Sequence, residues 1–292
     1  MTQAARPQLL NGLSEIASCY DLFLLDQYGV LHDGKTPYPG VNACLDALAR
    51  AGKAVVVLSN SAKRADYNLA RLARLGVATS GITRLVSSGE AFHADLQQGG
   101  ALARHGWRRC IVIASDADRS ILAETDLLET TDLARADFIL LIGIDPPRVT
   151  TATLEPILAA ARARGLPMVC ANPDTTSVLP MGLVEGPGSV ALRYAALGGS
   201  VHWYGKPHPA IFESALAAVG CHDKSRAIMV GDAITHDVHG AHSVGIPAVL
   251  VLCGIHRAEA LAPDGSVAWD GLAGLCAAAG ATPAFVLRTL AW

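Results

Sequence analysis

Residues 23–34 read FLLDQYGVLHDG. Phe23-Leu24-Leu25 has the continuous apolar character of a strand buried on both faces, and it runs straight into a carboxylate, Asp26. Tyr28 and Gly29 follow in a loop. A charge at the tip of a buried strand is unfavourable unless something nearby compensates it, so a partner for Asp26 is expected elsewhere in the chain.

The same kind of apolar run recurs along the sequence. Strands are expected at 21–26, 54–59, 109–114, 137–143, 167–171, 200–204, 226–231 and 247–252. Alanine-rich stretches with helical spacing separate them, such as VNACLDALARAG (41–52) and HPAIFESALAAVG (208–220). Short strands rich in Val, Ile and Leu, alternating with helices, imply βαβ units and a parallel sheet. Helix ends are readable too. Ser87 with Glu90 has capping-box spacing, and Gly52 stands where a helix should stop before a strand.

Bulk properties narrow the function. The chain has 292 residues, 51% hydrophobic and 17% charged, which allows a large core and argues against disorder. The formal net charge is −3, without long Lys/Arg blocks, so no nucleic-acid partner is expected. No apolar run approaches the ~20 residues of a membrane span. The stretch MTQAARPQLLNGL lacks the features of a secretory signal. The seven cysteines form no CxxC pair and read as reduced, mostly buried thiols of a cytoplasmic protein.

In open α/β sheets, ligands bind beyond the carboxyl ends of the strands. At those ends stand Asp26, then Ser59 and Asn60 after AVVVL, then Lys206 after VHWYG, then Asp232 after AIMVG, with Asp237 five residues on. Taken singly, each has a plainer explanation as a helix cap, a turn residue or a surface lysine. An acid, a hydroxyl, a lysine and an acid pair in this order on one rim point instead to a site.

The stretches LLDQYGV (24–30), VLSN (57–60), YGKPHPAIF (204–212) and VGDAITHDVHGA (230–241) resemble the motifs of the haloacid dehalogenase (HAD) superfamily of phosphotransferases and phosphatases. The resemblance extends from residue 21 to about 255. It is similar to the class IIA subgroup, which carries a large cap between the serine and lysine motifs; CANPDTTSVLP (170–180) resembles that subgroup as well. The resemblance implies a doubly wound parallel α/β core, residues 1–85 and 186–292, with an inserted α/β cap over 86–185. It implies a Mg²⁺-dependent phosphatase acting on a small-molecule phosphate ester, of sugar, nucleotide or glycolate phosphate type, with a homodimer through the cap.

The implied roles make physical sense. A carboxylate can attack phosphorus and form an aspartyl-phosphate, splitting hydrolysis into two easier steps. Nucleophile and substrate are both anions, and at ~4 Å with an effective dielectric of ~20 one pair of unit charges repels by ~4 kcal/mol. A Mg²⁺ ion would offset that repulsion. The resemblance gives Asp26 the nucleophile's role, and makes Asp26, the main-chain carbonyl of Tyr28 and Asp232 metal ligands, with Asp237 orienting metal-bound water. Ser59 would bind a phosphoryl oxygen, Lys206 would neutralise Asp26 and the phosphate, and Asn60 would position substrate. Asn172 and Asp174, in NPDTT (172–176) of the cap, are candidates for substrate selection, beside a plain reading as turn residues; so, more weakly, is SDADR (115–119).

One position departs from the pattern. The residue two after the nucleophile is normally an aspartate that protonates the leaving oxygen and later activates water. Here it is Tyr28, whose reference pKa near 10 makes a poor general base. His32, Asp33 and His208 are candidate substitutes. Two alternatives follow from the same position: a phosphate-ligand-binding module with little or no turnover, and a dehalogenase-like C–X hydrolase, which carries a similar D-x-Y-G. GDAITHD and the place of the insert after Ser59 argue against the second.

EGPGSVA (185–191) matches G-x-G-x-x-A, but without a preceding strand it reads as a return from the cap into a core helix. His236, His239 and His242 lack an HExxH pattern and read as structural or exposed histidines.

Overall fold

A computed structural model of the chain describes residues 6–116, 119–179 and 182–292. Its strands, in chain order, are β1 (Gln8–Leu9), β2 (Leu22–Leu25), β3 (Ala54–Ser59), β4 (Arg84–Ser87), β5 (Arg109–Ile113), β6 (Leu128–Glu129), β7 (Phe138–Leu141), β8 (Met168–Cys170), β9 (Thr176–Leu179), β10 (Gly182–Glu185), β11 (Val201–Trp203), β12 (Ala227–Gly231), β13 (Ala248–Val251) and β14 (Phe285–Leu287). The chain divides into two units. The first comprises Met1–Ser59, Asp66–Val86 and Lys206–Trp292; the second comprises Asn60–Ala65 and Ser87–Gly205.

The first unit holds a seven-stranded sheet in the order β1-β14-β13-β12-β2-β3-β4. The pairings β1–β14, β14–β13, β13–β12, β12–β2 and β2–β3 are parallel. All four residues of β2 are buried, as its apolar run requires. On one face Leu24, Val56, Leu58 and Met229 pack with Ile211, Phe212, Ala215 and Leu216 of the helix Pro209–Ala218. The helix Val41–Arg50 buries Val41, Cys44, Leu45 and Leu48, the i, i+3, i+4, i+7 spacing of one helical face. From β2 the sheet winds outward through β3, and from β12 it winds outward the other way through β13. The direction therefore reverses between β2 and β12, and an open α/β sheet offers its ligand crevice at such a reversal. This is the doubly wound parallel core expected from the sequence.

The second unit has a five-stranded parallel sheet, β11-β8-β7-β5-β6, and an antiparallel hairpin of β9 and β10. Ile139, Leu141 and Met168 pack against Leu158 and Ala161 of the helix Thr151–Ala163. Val190, Ala191 and Tyr194 of the helix Pro187–Ala196 join the same cluster.

This unit is larger than the expected insert of 86–185. Val201 pairs with Met168 and Trp203 with Cys170, so β11 covers what would otherwise be an open edge of β8. Residues 186–205 accordingly belong with the second unit, and EGPGSVA opens one of its helices, not a helix of the core. The strand before Lys206 is likewise not a core strand. Lys206 is the first residue of the chain's return to the first unit.

The expected capping box is half formed. Ser87 Oγ accepts the Glu90 N–H at 3.1 Å, while the Glu90 carboxylate takes Arg64 Nε at 2.5 Å and the Ala65 N–H at 2.9 Å. Ala117 and Asp118 of SDADR, and Pro180 at the end of CANPDTTSVLP, lie outside the described residues. Among the described residues no helix is long and apolar enough to cross a membrane.

Candidate active site

Asp26 follows β2 directly, and its N–H donates to Val230 O of β12 at 2.9 Å, so the strand pairing itself fixes the position of the carboxylate. Asp232 follows the neighbouring β12. Lys206 meets both ends of the site: its Nζ donates to Asp26 Oδ1 at 2.6 Å and to Asp237 Oδ1 at 2.7 Å. Burial alone would pull the lysine's pKa down, but the carboxylates of Asp237 and Asp26 more than offset it and the net shift is upward. Lys206 is thus a fixed positive charge.

Asp237 sits on a π-helical turn, Ile234–Val238, and is fully buried. Its Oδ2 accepts the Ala233 N–H at 3.0 Å, and its own N–H donates back to Ala233 O at 2.8 Å. Asp232 Oδ2 accepts the Ile255 N–H at 2.8 Å. Burial first, then the charges of Asp26 and Asp237, push the Asp232 pKa well above the usual carboxylate range; the Ile255 N–H and Lys206 pull against this. The loops around Asp232 press close. A Cβ on Gly29, whose φ is +83°, or on Gly254 would collide with the Asp232 carboxylate.

One oxygen from each of Asp26, Asp232 and Asp237 lies within 4.8 Å of the other two, forming a cluster of potential metal ligands among the described residues. Three converging carboxylates against one lysine make a hard, oxygen-only donor set with surplus negative charge. Such a set suits a divalent cation of the Mg²⁺ or Ca²⁺ type, which would offset the repulsion that, after burial, raises Asp232.

Ser59 ends β3, the strand beside β2, and is buried with a relative exposure of 7%. Tyr28 Oη donates to Asp33 O at 2.7 Å, and its ring meets His32 edge-on at 5.2 Å between centroids. The tyrosine therefore braces the loop that follows β2.

Two of the three expected substitute acids are correspondingly structural. His32 is fully buried, and its Nδ1 accepts the Gly34 N–H at 2.9 Å. Burial, then Arg71, pushes its pKa down to about 4, so it is neutral near pH 7 with no imidazolium proton to give. Asp33 accepts the N–H groups of Thr36 and Lys35, both at 2.8 Å, and these bonds lower its pKa. It is an ionised turn cap, not a proton donor. Burial, then His236, lowers the pKa of His208. His236 Nδ1 lies 3.2 Å from Lys206 O, so this histidine faces the main chain of the lysine's turn.

In the second unit, Asn60 Nδ2 donates to Asp174 Oδ1 at 2.7 Å, and the Asp174 N–H donates to Asn172 Oδ1 at 3.2 Å. The fold brings together these three residues, which lie far apart in sequence. The segment Cys253–His256 was not anticipated: the Ile255 N–H binds Asp232, and His256 Nε2 accepts the Ile234 N–H at 3.3 Å. Its position just past β13 was the available signal.

Residues 23–127 match the family model described as Haloacid dehalogenase-like hydrolase, and residues 203–274 match one described as HAD-hydrolase-like. Chronophin of Homo sapiens is 31% identical over 266 residues, covering 87% of this chain and 89% of that protein. The chain belongs to the haloacid dehalogenase-like hydrolases. A crystal structure of a haloacid dehalogenase-like hydrolase from Brucella suis 1330 superposes on this hydrolase with a TM-score of 0.81 at 27% identity, covering 97% of this chain and all of that one (100%). A crystal structure of a glycerol phosphate phosphatase from Mycobacterium tuberculosis, in complex with magnesium, gives 0.63 at 28% identity, over 82% of this chain and 68% of that one. In this hydrolase the matched stretches contain Asp26 and Ser59 in the first model, and Lys206, Asp232 and Asp237 in the second.

Proposed function

We propose that this hydrolase cleaves a small phosphate monoester, of sugar, nucleotide or glycolate phosphate type, through an aspartyl-phosphate on Asp26 and with Mg²⁺ as cofactor. The observation that carries the proposal is the bridging of Asp26 and Asp237 by buried Lys206, with Asp232 completing a three-carboxylate cluster. A C–X displacement needs no such cluster. The M. tuberculosis relative named a glycerol phosphate phosphatase, and its magnesium complex, support the substrate class and the metal.

In this reading an Asp26 carboxylate oxygen attacks phosphorus, the P–O bond to the alcohol breaks, and the leaving oxygen takes up a proton. Water then attacks the aspartyl-phosphate, releasing inorganic phosphate and restoring Asp26. Lys206 offsets charge on Asp26 and on the phosphoryl group, and Ser59 hydrogen-bonds a phosphoryl oxygen. Asp26, Asp232, Asp237 and the Tyr28 carbonyl would hold Mg²⁺, which when bound supplies Lewis-acid neutralisation and alignment of the phosphate. Asn60, Asn172 and Asp174 are assigned to recognition of the alcohol portion, and the Asn60–Asp174 bond supports treating them as one group. The Tyr28 hydroxyl is engaged with Asp33 O, so turnover is expected to favour esters whose leaving group needs little protonation. All seven cysteines are free thiols, in keeping with a cytoplasmic location.

The test is phosphate release, with and without Mg²⁺, from p-nitrophenyl phosphate and from sugar, nucleotide and glycolate phosphates. Metal-dependent release, fastest from the nitrophenyl ester, is the expected result. No release from any ester, or release indifferent to chelation, would overturn the proposal.

A further inference from the structure

We infer that the loop Cys253–His256 positions the metal-binding half of the site, and that His256 is its positioning side chain. The inference rests on the metal-dependent reading above.

Four consecutive residues after β13 reach three separate parts of the site. Cys253 Sγ donates to Gly29 O at 3.5 Å, on the loop that follows the nucleophile. Gly254 lies so close to the Asp232 carboxylate that a Cβ would collide with it. The Ile255 N–H donates to Asp232 Oδ2 at 2.8 Å. His256 Nε2 accepts the Ile234 N–H at 3.3 Å.

The last contact has leverage on Asp237. Ile234 opens the π-helical turn that carries Asp237, and an N–H in the first turn of a helix has no partner within it. Ile234 is 1% exposed, so its N–H needs an acceptor from the protein. His256 supplies one from the same loop that binds Asp232. The loop is itself anchored, since the Arg257 N–H donates to Gly254 O at 3.1 Å and the Ala260 N–H to His256 O at 2.9 Å, with Ala260 fully buried. The Cys253 and Ile255 contacts use a thiol and a main-chain group; His256 alone of the four makes its contact through a replaceable acceptor. Groups that orient metal ligands without touching the metal are worth ~10–100-fold in metal affinity.

The experiment compares wild-type protein with H256A, H256N and H256Q. Binding of Mn²⁺ without substrate is followed by electron paramagnetic resonance, and kcat and KM are measured at saturating Mg²⁺. A glutamine oxygen can reach the Ile234 N–H, whereas an asparagine oxygen falls short. H256A and H256N are expected to weaken Mn²⁺ binding by ~10-fold or more, with substrate KM little changed, and H256Q to restore it. If H256A fails to fold, the H256N and H256Q pair carries the comparison. Wild-type affinity in H256N, or equal weakening in H256N and H256Q, would overturn the inference alone. Absence of Mn²⁺ binding by wild-type protein would overturn the metal-dependent reading with it.

Discussion

Lys206 Nζ lies 2.6 Å from Asp26 Oδ1, with only 3% and 13% of the two side chains exposed. The same ammonium lies 2.7 Å from Asp237 Oδ1. This contact is what makes a carboxylate at the tip of a buried strand tolerable. A charge withdrawn from water needs a partner of opposite sign and hydrogen bonds to it, and Lys206 provides both to two acids at once.

Lys206→Met should therefore abolish turnover and destabilise the fold, because Asp26 and Asp237 would be left without their shared cation. Loss of one partner from a buried pair costs about 3–5 kcal/mol. Urea unfolding should show that loss in chelator and a smaller one with Mg²⁺ present. Equal losses in both conditions would argue against a cation at these carboxylates.

Asp26→Asn keeps an acceptor for Lys206 in its amide oxygen but removes the nucleophilic charge. Phosphate release should fall to background, with the urea midpoint near that of the wild-type protein. Residual turnover at a sizeable fraction of the wild-type rate would exclude Asp26 as nucleophile.

Tyr28→Asp places a carboxyl two residues after Asp26. Hydrolysis of alkyl phosphates should rise relative to p-nitrophenyl phosphate, because the alkoxide benefits from protonation and the nitrophenolate does not. The variant also loses the hydrogen bond to Asp33 O, at about 1 kcal/mol of stability. Tyr28→Phe loses that bond without gaining a carboxyl, so its substrate ratio should stay as in the wild type. A fall in alkyl phosphate turnover in Tyr28→Asp would mean that the phenol itself takes part.

His32 gives a pH prediction of defined sign. Its folded pKa is about 4, against about 6.5 in an unfolded chain, so the unfolded state binds the proton first as pH falls. The contribution is fully present above about pH 6.5 and is lost progressively as pH falls toward 4, by at most about 3 kcal/mol. In His32→Asn, Oδ1 replaces Nδ1 as acceptor for the Gly34 N–H, and the stability profile should be flatter in that window. Parallel profiles for variant and wild type would mean that the ring titrates normally.

Much of this was legible in the sequence because periodicity and strand-end chemistry act together. All eight expected strands exist, and the motif acids stand at the ends of β2 and β12 because buried parallel strands read as unbroken apolar runs. The six strands among the described residues that escaped notice are short or peripheral: β1 has two residues, β6 two and β14 three, while β4 stands at the edge of its sheet and β9 and β10 form a separate hairpin. Val201–Trp203 was read as a strand but placed in the wrong sheet, since three residues carry no information about their neighbour. The donors from Ala233 and Ile255 that hold the carboxylates are main-chain groups, which every residue type but proline provides. His32 looked like a candidate acid because burial, which decides its protonation, is not a local property of the chain.

Asp26, Ser59, Lys206, Asp232 and Asp237 all lie in one unit, with Ser59 the last residue before the chain first leaves it and Lys206 the first after its final return. An evolving gene could thus rewrite the stretch from Ser87 to Gly205, by exchange, growth or drift, while every strand beneath the acids kept its neighbours and register. The three carboxylates and the lysine that bridges two of them are therefore carried by one unit, whatever becomes of the segment inserted between its strands.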